Sequence, residues 1–174
     1  KYSGKWNDDI INGQGRIISI NGDFYEGDFN NGNIEGTGTF ISKKEKYKYI
    51  GNFKNNKFHG RGKIIYDESQ IIYEGGFVEG YKHGFGKIIF NDNSYYEGFF
   101  SKNYFHGNGE FYFKDKRNYI GDWEKNKMSG RGTFSWGNEC KYKWDYKNNL
   151  REGTGVYSFG FNLYDGEWKN GIPH

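Results

Sequence analysis

The sequence predicts an all-β protein, an elongated single-layer twisted antiparallel sheet of stacked β-hairpins. Three observations predict it. A Tyr-x-Gly-x-aromatic element begins at Tyr2, Tyr25, Tyr49, Tyr73, Tyr96 and Tyr119, every 23 or 24 residues, and self-similarity at such a period marks a repeat architecture. In each copy a Gly-x-Gly follows, its first glycine nine residues after the motif glycine, as Gly60-Arg61-Gly62 follows Gly51. Within each copy the apolar residues alternate, which is the period of a strand and not of a helix.

In chain order, six full repeats are followed by two altered ones. The seventh, Tyr142-Lys143-Trp144-Asp145-Tyr146, keeps the spacing to Gly153-Thr154-Gly155 but has Trp144 where the glycine belongs. The eighth, Tyr164-Asp165-Gly166-Glu167-Trp168, is partial. Residues 1–174 therefore read as one repeat array, expected to be a segment of a longer protein. A first strand carries Tyr73, Gly75 and Phe77 on one face and Glu74 and Gly76 on the other. A second carries Gly84, Gly86, Ile88 and Phe90 opposite Phe85, Lys87 and Ile89. The six residues between them, such as Lys54 to His59 or Val78 to His83, read as a loop. Turns between repeats are expected at Asn21-Gly22, Asp67-Glu68-Ser69, Asn91-Asp92-Asn93 and Gly137-Asn138. Two strands per repeat give about 10 Å per repeat and a rod about 70 Å long.

Glycine is unfavourable in strands and marks close approach of another group. Its recurrence here predicts that rings lie over it, building an aromatic face that curls into a groove. The other face is polar, with Glu26, Asp28, Glu74, Glu97, Asp122 and Asp165 able to meet Arg16, Lys63 and Lys87.

Composition narrows the function. The 28 glycines are architectural, and 16 Tyr, 16 Phe and 5 Trp are too many rings for a disordered chain. A net charge of +3, with basic and acidic residues interspersed, gives no support to nucleic-acid binding. A single cysteine, Cys140, no glycosylation sequon and no signal-peptide pattern predict an intracellular, cytoplasmic location. The abundance of Asn, Lys, Ile, Tyr and Phe is what A+T-rich coding would give, a hint at a protist source.

No catalytic, cofactor-binding or metal-binding motif stands out. The stretch from Gly80 to Lys87 has the wrong spacing for a phosphate-binding loop. His59, His83 and His106 stand before their glycine pairs, but residues one repeat apart lie about 10 Å apart and cannot share a zinc that needs nitrogens at about 2.0–2.1 Å. They read as histidines bonded to local backbone.

The pattern Tyr-x-Gly-x-(Trp/Phe)-x₆-Gly-x-Gly, with His59-Gly60, His83-Gly84 and His106-Gly107, resembles the membrane occupation and recognition nexus (MORN) repeat over nearly the whole chain. The departures are Trp144, Tyr146 and Glu152. The resemblance implies a repeat segment that is not itself catalytic, found in membrane-junction, ciliary and cytoskeletal proteins, and in lipid kinases and a lysine methyltransferase.

The expected role is a non-catalytic scaffold for protein–protein interaction in a cytoskeletal, ciliary or membrane-associated assembly. A helix or peptide would lie in the aromatic groove, or a second copy would dock to form a homodimer. The residues expected to line that groove or end are Tyr73, Phe77, Tyr96, Phe100, Tyr119, Trp123, Trp144 and Trp168. The competing reading is a peripheral membrane module touching anionic lipid through loop lysines Lys54, Lys57, Lys125 and Lys127, with Glu35, Glu79, Glu124 and Glu152 diluting that edge. A third is a regulatory segment of a larger lipid kinase or methyltransferase.

Overall fold

The computed structural model describes residues 1–137 and 139–174, so Asn138 of the expected Gly137-Asn138 turn lies outside the described residues. All regular structure among the described residues is β-strand. The chain forms two units, Lys1–Asn91 and Asp92–His174. The first holds β1 (Tyr2–Asn7), β2 (Ile10–Ile18), β3 (Phe24–Asn30), β4 (Asn33–Ser42), β5 (Tyr47–Lys54), β6 (Lys57–Tyr66), β7 (Ile71–Val78) and β8 (Tyr81–Ile89). The second holds β9 (Tyr95–Ser101), β10 (Tyr104–Tyr112), β11 (Asn118–Glu124), β12 (Lys127–Ser135), β13 (Cys140–Lys147), β14 (Leu150–Phe159), β15 (Asn162–Lys169) and β16 (Ile172–Pro173). Within each unit every strand pairs antiparallel with its chain neighbours.

The six-residue loop expected inside each repeat is not there. Strands run through it to a two-residue turn, because both turn residues accept positive φ: Asn55 and Asn56 at 48° and 64°, Lys125 and Asn126 at 48° and 67°, Asn31 and Gly32 at 47° and 79°. Positive φ at both central residues is the type I′ geometry, whose twist matches that of the flanking strands. The residues that look surplus are taken up in a bulge. In β5 and β6, Gly51 faces Gly62 and Phe53 faces Phe58, so one residue on the first strand opposes three on the second.

The two glycines of Gly-x-Gly thus serve different ends. Gly60, like Gly36 and Gly130, sits in the bulge at positive φ, +64° in its case. Gly62 is extended and lies under the ring of Tyr49, where a Cβ would meet Tyr49 Cζ at 2.5 Å. The tyrosine is also explained. Its hydroxyl donates to the backbone carbonyl three residues on, from Tyr49 to Asn52 at 2.7 Å, Tyr73 to Gly76 at 2.9 Å and Tyr119 to Asp122 at 3.0 Å. Phenylalanine would cover the glycines but leave that carbonyl beside the bulge without its partner.

Neighbouring repeats are also joined at their turns. The Asn56 side-chain oxygen accepts from the Ile34 N–H at 2.7 Å and the Asn56 N–H donates to the Ile34 carbonyl at 3.0 Å. Asn149 repeats both bonds with Met128. In two repeats the residue before Gly-x-Gly reaches the next turn: Glu35 accepts from the Asn55 N–H at 3.1 Å and Glu152 from the Asn170 N–H at 2.9 Å. Glu152, a departure from the histidine pattern, therefore carries a backbone-capping role that Glu35 also performs.

Candidate functional site

Alternation puts the motif rings on one face of each unit, where they interlock. Tyr49 meets Phe53 of its own repeat at 5.1 Å and Phe77 of the next at 5.2 Å, both edge-on. Tyr142 does the same with Tyr146 at 5.2 Å and Trp168 at 5.0 Å. A further side chain, nine residues after the tyrosine, lies on the ring: Phe58 stacks on Tyr49 and Phe105 on Tyr96, each at 3.8 Å. Arg151 and Lys82 take that place as cations over Tyr142 and Tyr73, at 5.6 and 5.4 Å.

This packing decides what the expected groove residues do. Tyr73, Phe77, Tyr96, Phe100, Tyr119, Trp123 and Trp168 are all buried. Trp123 and Trp168 also spend their indole N–H groups internally, donating to the Gly109 and Gly155 carbonyls at 3.1 and 3.2 Å. These seven are the cores of their units and present almost no surface to a partner. Burial pushes the phenols of Tyr73, Tyr96 and Tyr119 well above their ordinary value, and that of Tyr142 up to about 12.

Trp144 is the exception, and a correction. Its register, between Gly132 and Gly155, belongs to the glycine column of the aromatic face. That space is filled: the Tyr142 ring lies over Gly155, and its hydroxyl donates to the Asp145 carbonyl at 3.2 Å. The backbone at Trp144 turns to a φ of 109°, and the indole stands 48% exposed with the Arg131 guanidinium 5.9 Å from its centre. Arg131, Gly132, Thr133, Lys143 and Trp144 line a shallow open depression of about 300 Å³. The ring neither fills a groove nor displaces a core side chain.

The polar face elsewhere follows expectation in part. Arg16 pairs with Glu26 at 3.2 Å and Lys63 with Glu74 at 3.4 Å across neighbouring strands. Lys54 and Lys57 flank the Asn55-Asn56 turn, with Lys57 ion-paired to Glu79 at 2.6 Å. Lys125 is itself a turn residue, and Lys127 donates to the Asn148 side chain at 3.4 Å. Each lysine pair therefore stands at a hairpin turn, with acidic or amide neighbours. Among the described residues no group of three or more His, Cys, Asp or Glu side chains could hold a metal ion.

Sequence reading missed the aromatic surface that is open. Beyond the buried Phe134 the ring column of the second unit continues outward: Phe113 lies 5.7 Å from Phe134, Trp136 lies 4.4 Å from it, and Tyr157 lies 6.1 Å from Trp136. Trp136 is 40% exposed and Phe159 56%, while Phe161 is fully exposed beside Gly160. The signal was available in Phe159-Gly160-Phe161, two large apolar residues around a turn glycine where polar residues are the rule.

The family model of the MORN repeat matches eight segments, residues 2–24, 25–44, 49–68, 73–95, 96–116, 119–141, 145–160 and 164–174. No curated protein matches the chain. Among solved structures, 32 chains match. One is the TCP domain of SAS-4 (dCPAP) of Drosophila melanogaster, in complex with a proline-rich motif of Ana2 (dSTIL), at 12% identity and a TM-score of 0.53. The likeness covers 90% of this chain and 85% of that one, and it is a likeness of fold.

Proposed function

The chain belongs to the MORN repeat family, and from that premise we propose that it is a non-catalytic interaction module whose open aromatic stripe holds an extended, proline-containing segment of another protein. The observation that carries this reading is a set of rings outside the packed motif core, in which Trp136 and Phe159 are exposed beside the partly buried Phe113 and Tyr157. Such surface remains exposed when the sheet has finished packing, and contiguous exposed apolar patches mark interaction sites. Phe113 and Trp136 pack on the buried Phe134 from either side, at 5.7 and 4.4 Å, and form an aromatic-lined surface of the kind on which polyproline segments dock. The Drosophila domain with a similar fold is described with a proline-rich motif, which supports trying that class of partner first. On the family resemblance we extend the reading to a scaffold in an intracellular cytoskeletal, ciliary or membrane-associated assembly.

The test is fluorescence anisotropy with a labelled proline-rich peptide, beside a glycine-serine peptide of equal length and sedimentation with anionic vesicles. The reading expects the proline peptide alone to bind, and Trp136→Ala and Phe159→Ala each to weaken it with the melting temperature unchanged. Tight vesicle binding at physiological salt that depends on Lys125 and Lys127 would put the membrane reading in its place.

A further inference from the structure

Two cross-strand pairings recur on the polar face, and β12 and β13 make neither the ion pair nor the hydrogen bond in the recurring form. The residue after the second glycine of Gly-x-Gly faces the residue after the next motif tyrosine. Arg16 with Glu26 and Lys63 with Glu74 use that position for ion pairs. In the second unit the same position brings Thr133 opposite Lys143, so a cation stands where those repeats place a carboxylate. The middle residue of Gly-x-Gly faces the third residue after the tyrosine. Gln14 donates to Asp28 and Asn108 to Asp122 in that register. Arg131 is in register with Asp145 but lies instead over the Trp144 ring, and Asp145 accepts from the Thr154 hydroxyl at 3.4 Å. Arg131 and Lys143 have no ion pair among the described residues.

The third irregularity is Trp144 itself. A bulky residue at a φ of 109° is a genuine backbone outlier, and such strain gathers at ligand clamps. Half its surface remains in water, so little burial offsets the strain. Two uncompensated cations, a hydroxyl and an exposed indole thus surround one depression.

We propose that Arg131, Thr133, Lys143 and Trp144 form a second binding site, on the polar face of β12 and β13, for an acidic peptide segment of another protein. Its apolar side chain rests on the Trp144 indole and its flanking carboxylates pair with Arg131 and Lys143. Charge complementarity selects the acidic class. Shape selects a peptide over a small molecule, because the depression is open and stands at the lower size limit of small-molecule pockets, which lies at about 300 Å³. Same-face side chains along β12, Arg131 then Thr133, recur about every 7 Å, the spacing of same-face side chains in an extended peptide. This site lies on the opposite face from the aromatic stripe and does not depend on it.

The experiment is anisotropy with a labelled glutamate-rich peptide carrying a central phenylalanine, beside its lysine-for-glutamate counterpart. The wild-type chain is expected to bind the acidic peptide, more weakly as salt rises, and not the basic one. Lys143→Glu, which places the carboxylate that Glu26 and Glu74 supply at this position, is expected to weaken binding by at least about fivefold. Trp144→Gly restores the repeat pattern, so it should weaken binding similarly without lowering the melting temperature. Equal affinity for the two peptides, or full affinity in Lys143→Glu, overturns the proposal. So does Lys143-dependent capture by phosphatidylserine vesicles with no peptide binding, which would make the occupant a lipid surface. Trp136→Ala should leave the acidic peptide bound, which separates this site from the stripe.

Discussion

The hydroxyl of Tyr49 donates to the backbone carbonyl of Asn52 at 2.7 Å, and the ring between them roofs Gly51 and Gly62. One side chain thereby packs the glycine column and ties down the strand beside the bulge. Tyr49→Phe keeps the ring and its stack on Phe58 but removes the bond. The expected loss is about 1 kcal/mol, read from urea unfolding with an unchanged m-value.

Gly60 and Gly62 are two residues apart and should respond differently. Gly62→Ala places a methyl group against the Tyr49 ring and should cost about 1–3 kcal/mol or more, as overpacking does. Gly60→Ala meets the Asn52 Cβ at 3.3 Å and pays chiefly for its φ of +64°, about 1–2 kcal/mol. Gly60→Asn should recover part of that loss, since asparagine tolerates positive φ, whereas Gly62→Asn should be worse than Gly62→Ala. Paired melting curves of the four variants check the order.

Asn56 holds a positive φ and accepts from the Ile34 N–H of the preceding hairpin. Asn56→Gly keeps the backbone and loses the bond, an expected cost of about 1 kcal/mol. Asn56→Ala loses both and should cost more. Amide hydrogen exchange at Ile34 should accelerate in each.

Burial raises the phenols of Tyr25, Tyr49, Tyr73, Tyr96, Tyr119 and Tyr142 above their ordinary value of 10.0. Below pH 10 both folded and unfolded chains keep these protons, and the groups leave stability independent of pH. Above it the unfolded chain releases protons that the folded chain retains, so stability falls as pH rises toward and past about 12, the value for Tyr142. Phenolate absorbance should show exposed tyrosines titrating first and the buried ones appearing together with loss of the β signal. Free titration of all 16 tyrosines with the fold intact would contradict the packing.

The repeat, its two strands and its two faces were legible because period and alternation are sequence-local. The hairpin's interior was less so. Lys54 to His59 looks like a loop because polar turn residues and a bulge glycine stand close together. The shared capacity of Asn56, Gly32, Gly80 and Asn126 for positive φ becomes informative only when the repeats are aligned by their turns. Parity placed Trp144 on the aromatic face and could not anticipate that Tyr142 already occupies the space. The motif rings were correctly seen as a layer, but how completely they bury one another is set by neighbouring repeats, as Phe77 covers Tyr49 from the next hairpin. What stays open, Trp136 and Phe159, lies outside the motif that drew the eye.

The most direct test of the interaction role is amide chemical-shift mapping of the isotope-labelled chain during titration with the proline-rich peptide. Saturable shifts confined to the neighbourhood of Phe113, Trp136, Tyr157 and Phe159, abolished by Trp136→Ala, are the predicted result. No saturable shift, or shifts gathered at the turns of Lys54, Lys57, Lys125 and Lys127, would contradict it.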